Sequence, residues 1–330
     1  MELVPCPISG GRDFTPLLDA PDRFDLNGPE WSIVRSNGSG LAMLNPRPDE
    51  SEAAGHYPSE GYDPFISAGS TIGFRDRAYL AAGELLLRLK ASIVLAGMDK
   101  PPHETRILDV GCSGGRLLMH LHLRRGIPLC NLCGVEPDPG ARKAARSAGL
   151  AGIRARIEDA GGRFDRIVFW HSLEHIHRIG EALDAARRLL APDGMLVVAL
   201  PNIGSRDAQA YGPEWVALDA PRHLWHFTPG TLGTLLSLHG FTTETVEAYH
   251  PDALYNTWYS EKLRCARAKL RFSAAGALRA VAGAAASMVA GFDPERASGF
   301  VCRASGKVQE PPSTGEILPS DRSISAEAMR

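Results

Sequence analysis

The sequence predicts an α/β fold: a doubly wound, mostly parallel seven-stranded sheet, with a small N-terminal module and an added helical segment. Three observations predict it. From Arg106 onward, short apolar segments of strand length alternate with longer amphipathic ones. A small-residue turn, LDVGCSGG at 108–115, joins the first of these strands to the first helix. The 330 residues, 44% of them hydrophobic, supply a core domain and a smaller attachment.

The elements follow in order. Residues 1–57 carry many turn formers, show no long periodic segment and form the N-terminal module. Residues 58–104 are a helical lead-in. Within it, 74–98 reads as an amphipathic helix that buries Leu85, Leu86, Leu89 and Ile93. The stretch DKPPHET then breaks the chain. The core domain spans 105–308. It opens with a strand at 106–110 and a helix at 116–126 that closes on Gly126. A strand at 129–136, a helix at 139–149 and a weak strand at 152–157 come next. FDRIVFW at 164–170 is a clear fourth strand. A helix at 180–194 stops on Pro-Asp-Gly, and MLVVALPN at 195–202 is the fifth strand. Thr228 caps the next helix, Pro229 opens it and Gly240 lies beyond its last turn. Strands at 242–249 and 298–306 flank an Ala-rich helical insertion at about 254–291. The tail, 309–330, is rich in Pro, Ser and charge and reads as disordered.

Bulk properties exclude several classes. A net charge of -2 and the absence of basic runs speak against a nucleic-acid partner. Six cysteines are too few for a disulfide framework in a chain this long. Cys130 and Cys133, placed on one strand, point to opposite faces and read as core packing. The N-terminus lacks a signal-peptide pattern and no window offers eighteen uninterrupted apolar residues, so a cytoplasmic protein without a membrane span is expected. The Ala-rich stretch 270–292 is interrupted by arginine. Packing against the core leads for it; a lid helix, a self-association face and a membrane-surface contact stay open.

Ligands in open α/β sheets bind at the C-terminal strand ends, which directs attention to three stretches. In the first, Gly111, Ser113, Gly114 and Gly115 allow a ligand to approach the backbone closely. The dinucleotide fingerprint G-x-G-x-x-G does not fit, because the sixth position from Gly111 is Arg116. D-x-G-x-G-x-G from Asp109 fits better, with Ser113 in the middle Gly slot. Glu136 ends the second strand, where a carboxylate accepts both hydrogen bonds of a ribose diol. Dinucleotide enzymes use the same device, so Glu136 alone does not choose the cofactor.

The second stretch, HSLEH at 171–175, matches the H-x-x-E-H string of a class of zinc peptidases. That chemistry needs the string on a helix, with both histidines on one face. Here His171 directly follows an apolar strand, so the string marks a site rim instead. The third stretch holds Trp215, Arg222, His223 and His226 between the fifth strand and the next helix.

The turn and the acidic residue after it resemble the class I S-adenosylmethionine-dependent methyltransferases, with their Rossmann-like sheet. The resemblance covers roughly 105–250. GPEWVALDAPRHLWHFTPGTLGTLLSLHGF at 212–241 looks like a subgroup active in ubiquinone-like biosynthesis and glycan modification. It implies S-adenosylmethionine as cofactor, held by Asp109, Gly111, Ser113, Gly115 and Glu136, with Glu158 and Asp159 at the adenine and Trp170 beside the methionine end. The implied acceptor is a small molecule or glycan, methylated on oxygen. Transfer is an in-line displacement, and an oxygen acceptor also loses a proton. His171 is the preferred base and His223 follows. Glu174, His175, Trp215, Arg222 and His226 would line the acceptor, with Arg222 clamping an acidic group. Glu174 and His175 also read as a cap or loop brace, and Arg222 and His223 as purely structural.

No metal is assigned. A cation on His171, Glu174 and His175 is the lesser alternative, because some ubiquinone-type relatives hold one after this strand. An NAD-type oxidoreductase is a further alternative. Many of the resembled subgroup begin with a four-cysteine zinc ribbon. Here Cys6 remains, while Ser9, Ser36 and Ser39 stand in the other three positions, so a ribbon-like module without zinc is expected.

Overall fold

The computed structural model describes residues 1–57 and 74–306. The expected tail at 309–330 and the first part of the lead-in, 58–73, lie outside the described residues.

The main sheet has seven strands: β4 (Ile107–Val110), β5 (Leu132–Val135), β6 (Gly152–Arg154), β7 (Phe164–Trp170), β8 (Leu190–Pro201), β10 (Thr242–Ala248) and β11 (Gly299–Ser305). Their order is β10-β11-β8-β7-β4-β5-β6. β4 through β8 pair in parallel, while β11 runs antiparallel to both its neighbours. The predicted fold class is therefore the observed one. Side-chain parity places Ile167, Phe169, Leu196, Val198 and Leu200 in one core layer, and Val168, Trp170, Val197 and Ala199 in the other. Both faces of these strands are buried, which is why they read as continuous apolar runs.

The helices are α1 (Phe74–Leu95), α2 (Arg116–Arg125), α3 (Pro139–Ser147), α4 (Ile179–Leu189), α5 (Arg206–Tyr211), α6 (Pro229–Leu238), α7 (Pro251–Arg267) and α8 (Ala274–Ala290). α6 has the expected start: Thr228 caps it, Thr231 completes a capping box and Pro229 is in the first turn. The Ala-rich insertion is the pair α7 and α8. α8 buries Ala280, Ala284 and Ser287 and leaves Leu278, Val281 and Val289 exposed. Among the described residues, no helix is long and apolar enough to cross a membrane.

Two sequence expectations need correction. α1 does not bury Leu85 and Leu89, which are 66% and 40% exposed; Ala91 and Val94 face the core instead. The leucine-rich run satisfies two helical phases, and close approach to the sheet selects the smaller side chains. Leu129–Asn131 is a 3-10 turn, not strand, so Cys130 is exposed and only Cys133 lies on β5.

The N-terminal residues form an antiparallel sheet of β1 (Phe14–Ala20), β2 (Trp31–Ser36) and β3 (Ala42–Leu44). A fourth strand, β9 (Trp225–His226), joins it, pairing Ala42 with His226 and Met43 with Trp225. The core domain thus contributes a strand to the module, and that strand carries a predicted site residue.

Two matched turns face each other in this module. Gly10 N–H donates to the Cys6 carbonyl and Gly40 N–H to the Ser36 carbonyl, each over 2.8 Å, and both glycines have positive φ. Cys6 Sγ lies 3.1 Å from Ser39 Oγ, and Ser9 Oγ 3.2 Å from Ser36 Oγ. Burial raises the Cys6 thiol, but hydrogen bonds from Ser36, Ser39 and Ser9 outweigh it and bring Cys6 to about 7. Thiolates at all four positions would have tetrahedral zinc geometry within reach. The variant carrying Ser9→Cys, Ser36→Cys and Ser39→Cys is expected to bind one zinc ion per chain, measured by metal analysis after dialysis. The unsubstituted chain is expected to bind none there. A triple variant that stays metal-free would show that these turns are not a ribbon scaffold.

Candidate functional site

The sheet reverses its winding between β4 and β7, and the crevice beyond their C-terminal ends is the expected ligand position. The turn after β4 lies there. Gly111, Ser113 and Gly115 all have left-handed backbones, at φ 80°, 49° and 79°. A Cβ on Gly111 would meet Ser172 Cβ at 2.5 Å, and one on Gly115 would meet Leu150 at 2.2 Å. Ser113 accepts the strained conformation as the residue in the middle Gly slot. Its N–H donates to Glu136 Oε2 over 2.9 Å, and Asp138 N–H donates to Oε1 over 2.9 Å. The turn and the carboxylate are thereby fixed together, and each oxygen keeps a lone pair for a diol. Burial raises the Glu136 carboxyl above its ordinary range. Asp109 is buried, and its Oδ1 has no hydrogen-bond partner. Glu158 and Asp159 sit exposed on a 3-10 turn after β6.

Trp170 ends β7, edge-on to Tyr249 with ring centroids 5.1 Å apart. His171 follows with φ 49°, a conformation that needs the surroundings to hold it. Its Nε2 lies 3.3 Å from Asp252 Oδ1 on α7, and its Nδ1 3.7 Å from Glu174 Oε1. Burial disfavours the charged ring, but the Asp252 and Glu174 carboxylates outweigh it and lift His171 to about 10. His171 is therefore an imidazolium at neutral pH. It lacks the lone pair that a general base needs, which corrects the preferred base assignment.

Arg222 also departs from its expected role. Its Nε donates to Asp219, Nη1 to Asp22 and the His56 carbonyl, and Nη2 to Asp22 and the Ala220 carbonyl. All five donors are in use and its side chain is fully buried. Nothing remains to clamp an acidic acceptor group. Arg23 Nε pairs with Asp219 at 2.7 Å, so the N-terminal module grips this loop by two residues.

The loop thus held presents His223 to Glu174 and His175. Ligand atoms of these three residues all lie within 4.8 Å of one another. His223 Nδ1 is 2.8 Å from the Ala217 carbonyl, and His175 Nδ1 is 3.0 Å from the Arg222 carbonyl. A carbonyl only accepts, so each Nδ1 carries a proton, and in His223, where the ring stays neutral, Nε2 keeps its lone pair. Burial, with His175 second, lowers His223 to about 4 and keeps it neutral. Burial likewise lowers His226 to about 3, and its Nε2 is unpartnered. Glu174 is 1% exposed, and neither oxygen has a hydrogen-bond partner. Burial would raise its carboxyl, yet His171 and the other imidazoles hold it below the ordinary range. A buried carboxylate without hydrogen bonds is costly and invites a ligand.

Trp215, Trp225, His226 and Phe227 wall the space beside Glu174 and His223, and leave no room there for a water molecule. Trp215 is set by Asp207, which also accepts from Ser287 of α8 and from Ser298. The structure joins the two predicted histidine groups into one cluster. Asp252 and Asp22 were missed because each acts through residues distant in the chain; Asp219 lies inside the 212–241 stretch beside Arg222, and its role shows only with Arg23 of the N-terminal module in place.

Residues 74–246 match the family described as methyltransferase domain. A ubiquinone biosynthesis O-methyltransferase of Azorhizobium caulinodans is 32% identical over 174 residues, 48% of this chain and 67% of that protein. Its counterpart in Psychrobacter arcticus is 28% identical over 172 residues, 47% of this chain and 65% of that protein. The match leaves about a third of each relative uncovered. Among solved structures, an S-adenosylmethionine dependent methyltransferase from Mesorhizobium loti is 18% identical, with 66% of this chain and 99% of that one covered and a TM-score of 0.44.

Proposed function

The chain belongs to the methyltransferase-domain family, and from that premise we propose that it methylates an oxygen of a small-molecule or glycan acceptor, with His223 as the base. S-adenosylmethionine is its cofactor, and the Asp109–Gly115 turn with Glu136 is the pocket for it. The observation that carries the acceptor reading is the ionised Glu174 with no hydrogen bond, next to the bare Nε2 of His223. A hydroxyl entering here gives its proton to His223 Nε2 as its oxygen attacks the methyl carbon. The C–O bond forms, the C–S bond breaks, and S-adenosylhomocysteine leaves. Glu174 stabilises the imidazolium that results. The aromatic walls keep water from competing, and acceptor entry requires them to part. The similarity to ubiquinone biosynthesis O-methyltransferases supports oxygen as the acceptor atom.

A second reading has its own observation. Glu174, His175 and His223 have the spacing of a two-histidine, one-carboxylate cation site, with each Nδ1–H anchored on a backbone carbonyl. A bound divalent cation would lower the pKa of an acceptor hydroxyl. One assay tests both readings: cell extract, protein and methyl-labelled cofactor, with mass identification of the product. Label on oxygen, formed at full rate after exhaustive chelation, is the result expected with His223 as base. Loss of product on chelation and recovery with a divalent ion selects the cation. Label on nitrogen or carbon sinks the oxygen assignment.

A further inference from the structure

The helix α8 is turned inside out for a protein surface. Its inward side is made of small residues, Gly276, Ala280, Ala284 and Ser287. Its outward side carries larger ones: Leu278, Val281 and Val289 are 70%, 54% and 66% exposed, and Phe292, just past the C-terminus, is 86% exposed. Leu278, Ala282, Ala285, Val289 and Phe292 recur at steps of four, three, four and three residues, with Val281 beside them. That averages about 3.5 residues, the seam between helices that pack along each other. Arg279, the only charged residue of the helix, is drawn back to α7, where its Nε donates to Glu261 over 2.8 Å. Ser287 donates to Asp207 over 2.8 Å on the inward side, so the helix is held with its apolar stripe facing out. Among the described residues nothing covers that stripe. A surface helix keeps polar residues outward, and one that is apolar on both sides is covered by something.

The charges at the two ends of the helix point to the occupant. Lys269 and Arg271 precede α8 and are exposed. Asp293 and Glu295 follow it, also exposed, with one neighbouring cation, Arg296. One end is basic and the other acidic, so the surface is complementary to itself when reversed. We propose that α8 packs antiparallel against α8 of a second copy of this chain, about a two-fold axis near Ala282 and Ala285. Leu278 of each protomer then meets Val289 of the partner subunit, and the two alanines let the helix axes approach closely. Lys269 and Arg271 come to lie beside the partner's acidic end, and the opposed helix dipoles favour the same arrangement. A lipid surface suits this face less, because a helix lying on lipid presents Lys and Arg along its length. No cation lines the stripe, and acidic residues stand at one end of it.

The test is light scattering on the full chain over a concentration series. The unsubstituted protein is expected at twice the single-chain mass at about 50 μM. Ala285→Glu sets a carboxylate against its own copy at the axis and is expected to give the single-chain mass, with circular dichroism unchanged because the residue faces outward. Arg271→Glu is expected to weaken dimerisation by about three- to tenfold. Adding Glu295→Arg to it is expected to restore the dimer, a rescue that requires opposite ends of two helices to meet. A single-chain mass for the unsubstituted protein at about 50 μM overturns the proposal. A dimer that survives Ala285→Glu, or an Arg271→Glu loss that Glu295→Arg does not repair, overturns it as well. Cosedimentation of a single-chain form with phosphatidylglycerol vesicles, abolished by Ala285→Glu, would give the face to a membrane instead and overturn it too.

Discussion

Replacement of His223 by alanine is expected to lower kcat by about a hundred- to ten-thousand-fold while S-adenosylhomocysteine binding stays unchanged. In the proposed reading the imidazole of His223 serves the acceptor, whereas the Gly-rich turn serves the cofactor. Its Nδ1 proton is committed to the Ala217 carbonyl, so Nε2 faces Glu174 as a bare lone pair. Alanine removes the buried neutral imidazole next to Glu174 without touching Ser113, Glu136 or Asp109. Rate and cofactor affinity should therefore separate, with single-turnover methyl transfer read against calorimetry. Turnover within about threefold of the original would end the assignment. His171→Gln is the comparison. His171 is held as a cation by Asp252 and Glu174, so its loss should not resemble loss of a base.

Arg222→Ala is expected to destabilise the fold by about 3–5 kcal/mol. The guanidinium fills its five donors from Asp22, Asp219 and two backbone carbonyls, in full burial. Burial would raise the Asp219 carboxyl, but Arg23, His223 and Arg222 hold it well below the ordinary range. Truncating Arg222 leaves Asp22 and Asp219 facing each other with half their neutralising charge gone. Lysine should not rescue, because one ammonium cannot reproduce a planar five-donor fork. Chemical denaturation measures the loss, and a change under about 1 kcal/mol would show the network to be dispensable. Asp22→Asn should weaken the same network less, while loosening the grip of the N-terminal module on the His223 loop.

The parts legible in the sequence share a property: their determinants are contiguous. The strand, turn and helix from Ile107 to Arg125 form one unit, and the left-handed backbone at Gly111 and Gly115 is a local demand of that turn, to which the tertiary contacts with Ser172 and Leu150 only add. Thr228 and Pro229 announce α6 for the same reason. The apolar runs of β7 and β8 declare a buried parallel sheet because both their faces are covered. Where two local solutions compete, local reasoning fails. The leucines of α1 allow two buried faces, and the sheet chooses the one with Ala91 and Val94.

The sequence by itself determined the doubly wound sheet, the place of the Gly-rich turn after β4 with Glu136 beside it, and the two histidine-bearing stretches. Only the tertiary structure decided what those histidines can do. His171 becomes a cation because Asp252 arrives from α7, and His223 stays neutral because burial and the Ala217 carbonyl surround it. Arg222 becomes a structural post because Asp22 comes from the N-terminal module. A side chain's charge state is set by groups within a few ångströms in a poorly solvated interior, and spacing along the chain carries no record of those neighbours.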